Sequence, residues 1–231
     1  SHTNKDLALK PEDKRTFSLS QPYGTYVMEN VLFKISFPAE FHAQTACEAA
    51  VTLHPQVVDR LHDIERIVIT THESAIRIIS KVGKLANAAD RDHCLQYMTA
   101  VPLAFGNLVA EQYEDEFHAA HLIIDELREK MVIVEEPRYS REYLEADKRS
   151  IANAVQVFFN DGSHTEQVAV EYPIGHRRRR VDGIPLLEDK FKVNLATRFT
   201  AQRSAGIFAL CKDQARLEAT PVNRFVDLWV I

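Results

Sequence analysis

The run Ala154-Val155-Gln156-Val157-Phe158-Phe159-Asn160-Asp161-Gly162, continued by Gln167-Val168-Ala169-Val170-Glu171-Tyr172, decides the fold class. Two alternating stretches rich in β-branched and aromatic residues flank an Asp-Gly turn, which is a strong local signature of a β-hairpin. Alternation by two puts Val155, Val157 and Phe159 on one face, and Val168, Val170 and Tyr172 on the facing one. Two more β-branched runs, Ile64 to His72 and Met131 to Val134, read as further strands.

Around these strands the apolar spacing turns helical. From Glu40 onward, His42, Ala46, Ala49, Ala50 and Leu53 recur at helix intervals, with Pro38 just ahead of them. Asn87 to Gly106 reads as a second helix, with Asp90 as its N-cap, a kink at Pro102 and Gly106 as its stop. His118 to Lys130 reads as a third. After Pro185, placed in a first turn, Leu187, Phe191, Leu195 and Phe199 repeat every fourth position. Ser204 to Arg216 continues helical, and Val222, Phe225, Val226 and Trp229 form a last apolar stripe. The fold class is therefore α+β: a small mixed or antiparallel sheet of three or more strands, flanked by helices and followed by C-terminal helices. Residues 1–22 read as a polar lead-in, and Ser1-His2, with no initiator Met, reads as an expression remnant on a piece of a longer chain.

Composition narrows the function. The chain has 231 residues, 28 basic and 33 acidic side chains and a formal charge of −5, an ordinary globular balance. Its seven glycines are scattered, so neither G-x-G-x-x-G nor a Walker loop can be written from them. No apolar run is long enough to span a membrane, and the N-terminus carries no signal-peptide core. The three cysteines are far apart and make no C-x-x-C, which argues for a reducing compartment and against zinc or iron–sulfur ligation.

Several residues could carry chemistry. Arg177 to Arg180 stand together after Gly175-His176. Such a run is a solvated loop, a nucleic-acid patch or a site for small carboxylates, which guanidinium groups bind bidentately. The acidic chain and the absence of a second basic stripe weigh against nucleic acid. Gly175 would let a backbone or ligand approach closely. His93 and Tyr97, four apart, would share one helix face, either as an acid and base or as a satisfied core pair. Lys34 lies between apolar residues, as an anion anchor or as a lysine reaching out from a strand edge.

Taken together, the stretches from Gln21 to His42, Ala89 to Met98, Asp147 to Ala154, Glu171 to Arg180 and Pro221 to Ile231 resemble the MmgE/PrpD family. The resemblance implies a lead-in at 1–19, an α+β lid at 20–184, and helices at 185–231 that return to a helical domain missing from this sequence. It implies a hydro-lyase (a lyase that eliminates water) acting on a small tricarboxylate. The reaction would be 2-methylcitrate to 2-methylaconitate, in the methylcitrate cycle of propionate catabolism, with no iron–sulfur cluster and no other cofactor. It also implies a homodimer when full length, no nucleic-acid or membrane partner, and a location in the mitochondrial matrix of a eukaryote or the cytoplasm of a bacterium. The isolated piece would be inactive. By the same resemblance His93 and Tyr97 are the catalytic residues, while Lys34, His42, His176 and Arg177 bind substrate. One departure stands out: a related decarboxylase of the family has histidine where Phe37-Pro38-Ala39 is followed by Glu40. The alternatives are another tricarboxylate lyase, decarboxylase or epimerase of the family, or a non-catalytic anion- or nucleic-acid-binding module using Arg177 to Arg180.

Overall fold

Strand β1, Ile64–Thr71, is the pivot of the sheet. In the computed structural model, which describes residues 30–231, it lies between β2, Met131–Glu135, and β3, Asn153–Phe159. The strand order is β2-β1-β3-β4, with β4 being Val168–Val170. β1 runs parallel to β2, pairing Ile67 with Met131 and Ile69 with Ile133. It runs antiparallel to β3, pairing Ile67 with Val157 and Ile69 with Val155. The sheet is thus mixed, as the sequence allowed. A bulge between Ile64 and Arg66 resets the alternation, so that Ile64, Ile67 and Ile69 all reach the core.

Among the described residues there are eleven α-helices. Helix α1, Gln44–Val57, lies on the sheet against β3 and β4. Its buried face is largely small, with Ala46, Cys47, Ala49 and Ala50, which lets neighbours come close. Past α2, Glu73–Ile79, the expected helix at Asn87 to Gly106 divides in two: α3, Ala88–Arg91, and α4, Leu95–Phe105. Asn87, not Asp90, caps α3, accepting from Asp90 N at 2.9 Å. The Asp90 carboxylate instead accepts from Ala86 N at 3.0 Å. At the break the buried Arg91 guanidinium donates to the Tyr113 carbonyl at 2.6 Å. Pro102 stays inside α4, and Gly106 ends it in the left-handed conformation at φ 74°. Helix α4 is buried from Leu95 to Ala104 and packs on α1.

The helix expected over His118 to Lys130 is also split, into α5, Asp115–Ala120, and α6, Ile123–Glu129. Between them His121 leaves helical geometry. Helix α7, Pro137–Leu144, follows β2 directly, and Glu136 N donates to Thr71 O at 2.8 Å, tying its start to the end of β1. The hairpin forms with Val155 opposite Val168. Its second strand is shorter than expected, and Tyr172 lies beyond it.

Helix α8, Arg180–Ala196, starts five residues before Pro185, so the expected boundary at 184/185 falls inside a helix. It is followed by α9, Ala201–Lys212, α10, Gln214–Ala219, and α11, Val222–Asp227. The closing apolar stripe packs on its own neighbours: Trp229 sits 6.3 Å from Phe191, 6.0 Å from Phe199 and 5.8 Å from Phe225. The lead-in at 1–19 and the part of the expected lid before residue 30 lie outside the described residues.

The loop carrying Gly175 is pressed against the segment of Lys34. Phe33 N donates to Gly175 O at 3.2 Å, and a Cβ at Gly175 would stand 1.7 Å from Phe33 O. The close approach expected of this glycine therefore belongs to protein backbone. Gly175→Ala should lower stability by about 3 kcal/mol, since backbone must move to admit the methyl. Urea unfolding of the chain checks this, and a loss below about 0.5 kcal/mol would mean the contact yields freely.

Candidate active site

The site begins at Glu40. Its side chain caps the short turn Phe41–Ala43 that leads into α1, accepting from His42 N at 2.8 Å. The same carboxylate meets His42 Nδ1 at 2.8 and 2.9 Å. Burial pushes the Glu40 carboxyl up, but the hydrogen bonds and charge of His42, with the charge of His93, outweigh it and leave the group below its ordinary value. An ionised carboxylate only accepts, so Nδ1 of His42 carries the hydrogen. Nε2 is left facing the Tyr143 hydroxyl at 3.1 Å.

Tyr143 comes from the last turn of α7. Its ring stacks on His72 at 4.7 Å and 13°, and the His72 ring is 5.2 Å from that of His42. His72 caps α2 directly after β1, its Nδ1 accepting from Ala75 N at 3.4 Å. It is wholly buried, and its Nε2 has no protein partner. Burial, helped by the charge of His42 and opposed by that of Glu40, pushes its pKa down to about 4. Three elements thus converge: the turn before α1, the end of β1 and the end of α7. The result is a carboxylate–imidazole–phenol chain, a layout suited to moving a proton.

The residues singled out from sequence scatter around this centre. His42 is in it. Lys34 is exposed, its ammonium 5.0 Å above the ring of Phe41, the residue between Glu40 and His42 in sequence. His93 lies in the turn between α3 and α4, exposed and bonded to Asp92 Oδ1 at 2.5 Å. It does not share a helix face with Tyr97, because α4 begins only at Leu95. Tyr97 is in the core: its hydroxyl donates to Gln112 O at 2.6 Å, and its ring packs between Tyr113 and His118. Burial, more than the nearby charges, pushes its pKa up to about 12.

His176 is also hydrogen-bonded within its own loop. It caps the turn Arg177–Arg179, accepts from Arg178 N at 3.2 Å and packs its ring 4.5 Å from Tyr172. Burial first, then the charges of Arg177, Arg178 and Arg180, push its pKa down to about 4. The arginine run is dispersed among protein contacts. Arg177 reaches Asp147 O at 3.5 Å, and Arg178 bonds the same carbonyl and lies over Tyr172. Arg179 bonds Glu48 and Tyr172 O, both at 2.8 Å, and Arg180 lies 4.1 Å from the ring of Phe33.

Sequence spacing passed over His72 and Tyr143. Tyr143 is 101 positions from its partner His42, and no local pattern brings the two together. Among the described residues no group of three or more His, Cys, Asp or Glu side chains is arranged to hold a metal ion.

The family model of the MmgE/PrpD C-terminal domain matches residues 37–214. The chain belongs to the MmgE/PrpD family. It is 55% identical to the 2-methylcitrate dehydratase of Salmonella typhimurium over 98% of its own length and 47% of that protein. It is 54% identical to the Escherichia coli K12 protein of the same name, over the same shares of the two chains. It is 49% identical to the mitochondrial 2-methylcitrate dehydratase of Yarrowia lipolytica, over 94% of this chain and 42% of that one. The chain therefore spans about half the length of the curated relatives it matches. No helix among the described residues is long and apolar enough to cross a membrane.

His72 and His176 are both neutral in the fold at pH values where the unfolded chain protonates them. Between about pH 6.5 and pH 4 the unfolded state binds the extra protons, so stability falls as pH drops through that window and levels off below it. Each histidine contributes on the order of 3 kcal/mol at most to this loss. Unfolding of wild type and His176→Asn across that range checks it: the variant should show the shallower dependence, and an identical slope would count against the buried neutral ring.

Proposed function

We propose that this chain is the C-terminal part of a 2-methylcitrate dehydratase, which removes water from 2-methylcitrate to give 2-methylaconitate. The observation that carries the reading is 55% identity, over 98% of the chain, to a protein of that name. The geometry supports it with the hydrogen-bonded pair Glu40 and His42, a layout suited to moving a proton.

Elimination needs a base for the proton beside a carboxylate, an acid for the leaving hydroxyl, and positive charge for the carboxylates. Lys34, whose ammonium lies over Phe41, supplies positive charge for the tricarboxylate, and His93 stands where its charge is felt at Glu40. Tyr97 and His176 are left out of the machinery because both are buried and bonded to backbone. No iron–sulfur cluster enters this reading. Cys47 is buried with its thiol on Met98 O at 3.1 Å, and Cys94 is buried apart from it. The half of the enzyme outside this sequence supplies the rest of the cleft. The mitochondrial name of the Yarrowia relative supports a mitochondrial location in a eukaryotic source.

The full-length protein given 2-methylcitrate should form a conjugated double bond, followed by its ultraviolet absorbance. Release of carbon dioxide instead would identify a decarboxylase and overturn the reading. Lys34→Ala should raise KM about tenfold, the loss of one charged hydrogen bond, with kcat changed far less. An unchanged KM would remove Lys34 from the site.

A further inference from the structure

We propose that the phenolic oxygen of Tyr143 is the atom that takes the proton from the substrate carbon, with His42, Glu40 and His72 as positioning residues behind it. The inference rests on the dehydratase reading above. The case comes from which member of the chain can be reached. The side chains of His42 and Glu40 are only 11% and 17% exposed. Tyr143 is partly exposed, as Glu40 is, and forms the terminal link of the chain, with its hydroxyl 3.1 Å from His42 Nε2. Of the two groups that share this hydrogen bond, His42 is buried and the tyrosine is the more exposed, so the phenol is the one a substrate reaches.

The hydrogen-bond directions suit this role. Glu40 fixes the hydrogen of His42 on Nδ1, so Nε2 accepts from the phenol. As the phenolic oxygen takes the carbon-bound proton, its own hydrogen passes to Nε2. The imidazolium so formed lies against the Glu40 carboxylate at 2.8 Å. The C–H electron pair becomes the new C=C bond and the C–O bond breaks. The departing hydroxide takes a proton back through the same chain and leaves as water, restoring both side chains. His72 aims the phenol: its buried ring lies flat against Tyr143 at 4.7 Å and holds the hydroxyl toward His42.

In the full-length enzyme, Tyr143→Phe keeps the ring and its stack and removes only the hydroxyl. Its kcat should fall about 10²- to 10⁴-fold, with KM within about threefold. Substrate deuterated at the reacting carbon should show a larger isotope effect on kcat in this variant than in wild type. His72→Ala should lower kcat about tenfold at an unchanged KM, and His72→Phe, which restores the stack, should recover most of it. If the wild-type enzyme dehydrates 2-methylcitrate while folded Tyr143→Phe keeps kcat within threefold, this inference falls and the dehydratase reading stands. If the wild type does not dehydrate it, both fall. Should Tyr143→Phe not fold, 3-fluorotyrosine at position 143 serves instead: a several-fold change in kcat supports the role, and an unchanged kcat overturns it.

Discussion

The side-chain amide of Asn153 donates at 2.7 Å to the carbonyl of His42 and at 2.7 Å to the hydroxyl of Thr45. Thr45 in turn donates to Ile151 O at 2.6 Å. Asn153 is the first residue of β3 and is completely buried, so these bonds have no water to replace them. They pin the turn that carries Glu40 and His42 to the sheet. β3 also pairs Ala154 with Thr70, close to the end of β1 where His72 begins. One amide therefore fixes the start of α1 relative to the end of β1, and with it the distance between two of the three elements that build the site. An apolar residue at this place would fill the volume and lose the registration.

The sheet was largely legible because its strands alternate or are rich in β-branched residues, and both signals are local. The helix starting near Glu40 was legible for the same reason. The breaks at 92–94 and 121–122 were not, and at the first of them the side-chain partners are distant in sequence. Arg91 is drawn to Tyr113 and Asp115, a pairing that helical periodicity does not encode. The site divides along the same line. His42 stood out through a run of residues typical of the family, whereas His72 read only as the last residue of a strand and Tyr143 as an ordinary helical tyrosine. The helix face expected to be shared by His93 and Tyr97 is the opposite case. The spacing of Tyr97 from His93 suited a helix face, but the turn at Cys94 intervenes and sends the phenol into the core.

The arginine run illustrates a general limit of charge patterning. Four adjacent guanidinium groups in an acidic chain look like a ligand site in one dimension. In three dimensions the 3₁₀ turn Arg177–Arg179 fans them apart, and each finds a carbonyl, a carboxylate or an aromatic face. Their work is to hold the loop of Gly175 against α1 and the segment of Phe33. A cluster of charge on the page is thus converted into a clasp.

The placement of β1 at the centre of a mixed sheet has a consequence for how the chain is made. β1 leaves the ribosome well before either neighbour, and α2 through α7 are all synthesised before β3 arrives. Until then β1 lacks its antiparallel partner, whereas β3 and β4 can pair with each other at once. The order of synthesis therefore opposes the order of local pairing: the central strand is made first and completed late. The interval in which an unpaired, β-branched strand is open to wrong partners is written into the topology rather than into any single residue.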